Sequence, residues 1–326
     1  MDFPVIISPI RRRGYRSLAV LLLTSLAACG GDGPITPPPT PQAPTVSCPS
    51  NVESSTTGGQ PVPIAYSAPS TAGGSAPVSV TCTPASGTLF NPGTTAVNCT
   101  ATDAAGRSAT CGFTVDVRAV PTLSKTRFLA FGDSLTEGKL SLTISLLIDS
   151  PAHSYPFKLQ GMLAQRYTAQ QPVVLNEGFG GERVDESRSR FRAAISQHRP
   201  DAVLLMHGVN DLNGVGSGKV QAAVDGMEEL IKEGRSAGVA VFVATLPPLG
   251  PGPKAGCPEC VEPFNERLAA VAKAKGATLV DVYAAWGNRT GLMGADGIHP
   301  TEAGYEVIAT AFFEALRAAF ENPSLQ

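Results

Sequence analysis

Five apolar runs separated by amphipathic segments fill the second half of the chain, and they constrain its fold more than any other feature. They are RFLAFG (127–132), PVVLNEG (172–178), DAVLLMHG (201–208), VAVFVATL (239–246) and ATLVDVY (277–283). Their near-continuous apolar character suits strands covered on both faces. The segments between them carry helical spacing. Val220, Val224, Met227 and Ile231 step by three or four residues, and so do Tyr305, Ile308, Phe312 and Leu316. Those stripes read as core faces of helices rather than as cofactor boxes. Alternating β and α elements predict an α/β domain with a doubly wound parallel five-stranded sheet over 126–322.

Ligands of such sheets bind beyond the carboxyl ends of the strands. The residues expected there are Asp133-Ser134 after the first run and FGGER (179–183) after the second. Val209-Asn210-Asp211 follow the third run, and ADGIHP (295–300) follows the last. The G-x-S-x-G pattern of many serine hydrolases is absent, since Thr136 stands two residues after Ser134. The set nonetheless resembles the SGNH (GDSL-type) hydrolases. GDSL stands at 132–135, NEGFGG at 176–181, GVND at 208–211 and DGIH at 296–299, in the family's order.

The chemistry explains the residue types. A serine hydroxyl is a weak nucleophile near neutral pH and needs a base beside it. His299 can be that base, placed just before a helix start. Asp296 can orient the imidazole and stabilise its cation. The resemblance implies three oxyanion donors: the backbone N–H groups of Ser134 and Gly181 and the side-chain amide of Asn210. No cofactor and no metal is called for.

Plainer roles compete at several positions. Ser134 could cap the next helix. Asp133 and Asn176 read as structural groups that tie loops together, and His207 as a satisfied core histidine. Nothing is assigned to His153 or His198. NGVGSGKV (213–220) fails as a phosphate loop, because Asn213 stands where the first Gly belongs and Val220 where Ser or Thr belongs. CPEC (257–260) has the C-x-x-C form of redox and zinc sites but reads as a small structural disulfide. It would pin the loop PPLGPGPKAG (247–256), expected to wall the substrate cleft. KLSLTISLLI (139–148) supplies Leu140, Leu142, Ile144, Leu146, Leu147 and Ile148, which either line an acyl-chain pocket or pack on the scaffold.

From about 46 to 118 the pattern changes to short alternating runs. In CGFTVDV (111–117), Cys111, Phe113, Val115 and Val117 share one face. In TAVNCTA (95–101), Val97, Cys99 and Ala101 do the same. Asp103 to Gly106 and NPG (91–93) supply turns. This predicts a small all-β sandwich. The stretch 81–117 resembles hyalin-repeat (HYR-type) domains, which implies an immunoglobulin-like module serving as spacer or as a surface or glycan contact. Its four cysteines allow three pairings. Cys48–Cys111, with Cys82–Cys99 inside, is the one favoured. Residues 119–125 read as a linker.

At the N-terminus, RRRGYR (11–16) precedes the short apolar stretch 17–29, too short to span a bilayer. This reads as a signal peptide over 1–28. Leu26-Ala27-Ala28-Cys29 resembles the lipobox of bacterial lipoproteins, which implies lipid on Cys29. Residues 29–45, rich in Pro and Gly, read as a tether. The seventh cysteine is thereby accounted for, and the other six suit an oxidising compartment. The net charge of −2 becomes more acidic once four arginines leave with the signal, which argues against nucleic acid as a partner. The expectation is an exported serine esterase anchored by lipid to the cell envelope and acting on short- or medium-chain acyl esters. The alternatives are a carbohydrate O-acetyl esterase, or a surface adhesion protein with an inactive hydrolase fold.

Overall fold

Period-two alternation in the first region builds paired strands. The computed structural model describes residues 42–144, 146–213 and 218–322, so the signal segment, Cys29 and most of the tether lie outside the described residues. Strands β1 (Thr45–Ser47), β2 (Val52–Thr57), β3 (Val62–Pro63) and β4 (Ser70–Ala72) are followed by β5 (Ser79–Thr83), β6 (Leu89–Phe90), β7 (Gly93–Thr102) and β8 (Ser108–Val120). They pair in the orders β2-β8-β7-β5, β3-β6 and β1-β4. Phe113, Val115 and Val117 of β8 bury against Val97, Cys99, Ile64 and Phe90, the face that the alternation predicts.

The β7–β8 turn is organised by Asp103. Its carboxylate accepts the N–H groups of Ser75 (3.0 Å), Ala105 (3.0 Å) and Arg107 (2.9 Å), and it pairs with the Arg107 guanidinium at 2.7 Å. Those contacts, the Ser75 N–H foremost, hold its pKa at about 2 against the effect of burial. The disulfides are Cys48–Cys111 and Cys82–Cys99.

The second region alternates as expected. β9 (Arg127–Gly132) leads into α1 (Ser134–Glu137), then a hairpin of β10 (Lys139–Ser141) and β11 (Leu147–Asp149), then α2 (Tyr155–Arg166). β12 (Val173–Gly178) precedes α3 (Val184–His198), and β13 (Ala202–Met206) precedes α4 (Val209–Leu212) and α5 (Gly218–Ser236). β14 (Ala240–Ala244), α6 (Val261–Lys275), β15 (Thr278–Val280), α7 (Val282–Trp286) and α8 (Glu302–Phe320) follow. The sheet order is β12-β9-β13-β14-β15, with every pair parallel. Helices α2 and α8 pack together, as do α3 with α5 and α5 with α6. Both helical stripes bury completely or nearly so.

β13 and β15 end before their apolar runs do, for local reasons. β13 stops at Met206 because Gly208 turns the chain with φ of +110°. β15 stops at Val280 because the Asp281 carboxylate accepts the Ala284 N–H (3.0 Å) and so caps α7.

Register aligns the carboxyl ends that matter. Gly178 of β12 lies beside Gly132 of β9, which lies beside Met206 of β13. The approach is close: a Cβ on Gly132 would sit 1.8 Å from the Met206 carbonyl oxygen, and one on Gly178 would sit 2.0 Å from the Glu137 nitrogen. Glycine is therefore a steric requirement at both positions, of the β9–β13 approach at Gly132 and of α1 against the β12 end at Gly178.

Candidate active site

Ser134 opens α1 but does not cap it. Asp133 is the N-cap, its carboxylate accepting the Leu135 N–H at 3.0 Å. The Ser134 hydroxyl instead lies 2.9 Å from Nε2 of His299. Nδ1 of His299 lies 2.6 Å from Oδ2 of Asp296, and Oδ1 of Asp296 accepts the N–H groups of Ile298 (3.1 Å) and His299 (3.0 Å). Asp296 is 1% exposed. Burial pushes its carboxyl pKa up, but the His299 hydrogen bond and the two backbone N–H groups outweigh that and leave it below the ordinary carboxylate value. An ionised Asp296 accepts a hydrogen bond from Nδ1–H, which keeps the proton on that nitrogen, so Nε2 presents its lone pair to the Ser134 hydroxyl.

Neighbouring elements hold this loop in place. Ser141 of the hairpin accepts the Asp296 N–H at 3.0 Å. The 247–256 loop packs on it, with Gly250 N–H to the Gly297 carbonyl (2.9 Å) and Lys254 N–H to the Asp296 carbonyl (3.0 Å). The Lys254 ammonium lies 3.6 Å from Oδ2 of Asp296. Thr301 caps α8 directly after the loop, accepting the Gly304 N–H at 3.3 Å.

A cavity of about 200 Å³ opens over Ser134 and His299, and both Gly181 and Asn210 line it. Gly181 has φ of +82°, and a Cβ there would meet nothing within 4 Å, so glycine serves the backbone conformation. Asn210 sits on α4 and donates one amide hydrogen to the Glu182 carbonyl at 2.9 Å, tying the Gly181 loop to the β13 end. Asn176 is a loop tie, accepting the Gly178 N–H at 2.9 Å and donating to the Glu137 carbonyl at 3.3 Å.

The apolar insert divides between its two readings. Leu140 is buried in the core and Ile148 packs against it, whereas Leu147 lines the cavity. Leu142, Ile144 and Leu146 are 57%, 61% and 48% exposed at the hairpin tip. Cys257 and Cys260 form a disulfide. With Glu259 they have metal-ligand spacing, but both sulfurs are committed to each other. The wall formed by 247–256 is present as Lys254, which lines the cavity. Ser141 at the end of β10 and Lys254 in the 247–256 loop carry no local sequence signal for these contacts.

Fold and site together define an α/β serine hydrolase with its reactive groups on strand ends. The chain belongs to the GDSL-like lipase/acylhydrolase family, which matches residues 130–307, and it is a serine ester hydrolase. An HYR domain matches residues 40–117. Among solved structures, the inhibitor-bound M. smegmatis aryl esterase is similar, with 21% identity, 59% of this chain and 99% of that chain covered, and a TM-score of 0.51; this likeness shows the fold. LAE5, an α/β hydrolase enzyme from the metagenome of Lake Arreo, Spain, matches at 22% identity over 60% of this chain and 96% of that one, with a TM-score of 0.49. The acetylxylan esterase Axe2 from Geobacillus stearothermophilus matches at 19% identity over 59% and 94%, with a TM-score of 0.47. No curated protein matches the chain.

Proposed function

We infer that the protein is an esterase for short acyl esters, with Ser134 as nucleophile, His299 as general base and acid, and Asp296 as orienting carboxylate. The hydrogen-bonded chain from Ser134 Oγ through the imidazole to Asp296 carries this reading. Oγ attacks the ester carbonyl while its proton passes to Nε2. The imidazolium then returns that proton to the departing alcohol, leaving an acyl-enzyme. Water attacks the acyl carbon in the same way and frees the acid and Ser134. The oxyanion is held by the N–H groups of Ser134 and Gly181 and by the Asn210 amide, all at the cavity.

The cavity volume of about 200 Å³ favours acetyl over longer chains, and so does the exposure of most of the apolar insert. Carbohydrate O-acetyl groups are the second reading. Asn210, Asn213, Lys139 and Lys254 around the cavity favour it, since a polar wall suits a hydroxyl-rich alcohol. An inactive adhesion protein is disfavoured by the assembled triad. The chain is exported and held on the cell envelope through lipid on Cys29, with the β-sandwich as spacer or glycan contact.

Turnover of p-nitrophenyl acetate, butyrate and octanoate tests the enzyme reading. Activity should fall steeply with chain length and vanish in Ser134→Ala with circular dichroism unchanged. Equal activity in that variant rejects the nucleophile.

A further inference from the structure

His207 is a fully buried titratable group that the reaction just described does not use. It follows β13 directly, and its ring lies between two carboxylates. Nδ1 is 3.3 Å from Oδ2 of Asp133, and Nε2 is 3.4 Å from Oε2 of Glu182. Asp133 is the N-cap beside Ser134 and has no exposure. Glu182 follows Gly181, and its carbonyl accepts the Asn210 amide. One ring therefore joins the turn that carries the nucleophile to the loop that carries the oxyanion donors.

We propose that His207 is a positioning residue of the esterase site, held as an imidazolium that bridges Asp133 and Glu182 and so fixes the nucleophile turn against the oxyanion loop. The proposal rests on Ser134 being the nucleophile. The local charge count supports it. Two carboxylates and one guanidinium, Arg190 on Glu182 (Nε 2.9 Å), leave a buried excess of one negative charge that the imidazolium cancels. Asp211 on α4, which accepts the Val184 N–H at 3.1 Å, adds further negative potential. The Phe131 ring, 6.3 Å away, adds no charge.

A neutral ring is the competing arrangement. With hydrogen on Nε2 only, its bare Nδ1 accepts the Gly208 N–H, which is 3.0 Å away, a contact the imidazolium gives up. Oδ2 of Asp133 would then face a lone pair in the protein interior without a donor from His207, which is costly. Burial by itself pulls the imidazole down, but the Asp133 and Glu182 carboxylates outweigh it and raise the pKa to about 9.

The test uses the full chain labelled with ¹⁵N-histidine. Four histidines give four ring systems, and His153→Gln and His198→Gln help assign them. The expected result is a His207 ring with hydrogen on both nitrogens at pH 7 that titrates near pH 9, with an alkaline limb of kcat at the same pH. His207→Asn should cost about 10–100-fold in kcat, the range of outer-shell partners, and should remove the alkaline limb. A neutral ring at pH 7 in the unsubstituted chain overturns the proposal without recourse to any variant of His207. So does an unchanged alkaline limb in His207→Asn. A neutral ring while Ser134→Ala is inactive sinks this proposal alone, whereas activity surviving Ser134→Ala sinks both it and the enzyme reading.

Discussion

Replacing Asp296 by Asn separates the catalytic work of this residue from its structural work. Oδ1 accepts two backbone N–H groups, from Ile298 and His299, and Oδ2 faces Nδ1 of His299. An Asn side chain can keep its oxygen on the two amides, so the loop stays satisfied. Its NH₂ then occupies the Oδ2 position and presents hydrogen to Nδ1. The ring must answer with a lone pair there and move its proton to Nε2, which turns a donor toward the Ser134 hydroxyl and removes the base. Wrong-tautomer variants of this kind lose about 10⁴ in kcat, which is about 5 kcal/mol in the barrier. Asp296→Ala should lose as much activity and stability as well, because two N–H groups of buried residues lose their acceptor at about 1–3 kcal/mol each. The assay is kcat/KM on p-nitrophenyl acetate beside thermal unfolding for both variants. A rate loss under about tenfold in Asp296→Asn refutes the tautomer argument. Equal destabilisation of the two variants refutes the claim that Asn retains the backbone contacts.

Asn210→Ala should lower kcat by about 10²–10³ with a small change in KM, as for loss of one oxyanion donor; stopped-flow acylation kinetics read this directly. In the β-sandwich, the Asp103 carboxylate titrates at about 2 when folded against an ordinary 3.8, so its stabilisation is present above pH 3.8 and is lost as pH falls through about 2. Asp103→Asn should therefore unfold at a lower temperature than the parent at pH 6, with the gap closing toward pH 2 in a series of calorimetric scans.

Much of the site could be read from the chain because each reactive group sits inside a short motif at the end of an apolar run. Ser134 is separated from the RFLAFG strand by one residue, and Asp296 and His299 share one loop. Their meeting is then a consequence of parallel strands ending at one rim. What supports them could not be read the same way. Ser141 reaches the Asp296 N–H, and Lys254 the Asp296 carboxylate, across many intervening residues. His207 reads as an ordinary core histidine until the sheet register places Asp133 and Glu182 on either side of its ring. The insert 139–148 has an apolar composition that cannot state which leucine points where; the hairpin turn decides that Leu140 is buried while Leu142 is exposed. Disulfide pairing has the same character. Register sets Cys99 opposite both Cys82 and Cys111, and only the placement of Cys48 next to Cys111 resolves the choice.

The missing G-x-S-x-G elbow follows from the same geometry. In that motif, glycines flank a nucleophile on a tight turn. Here the first of those glycines is present as Gly132, two residues before Ser134, where β9 passes the Met206 carbonyl too closely for any Cβ, and only the second is missing. Asp133 completes the turn by capping α1, so the residue two after Ser134 need not be small, and Thr136 is buried with its hydroxyl donating to the same Met206 carbonyl at 3.2 Å. The position of the elbow's second glycine thus has a structural task of its own in this chain. The groups proposed to hold the oxyanion come from the loops after β12 and β13 as well as from the nucleophile's own turn.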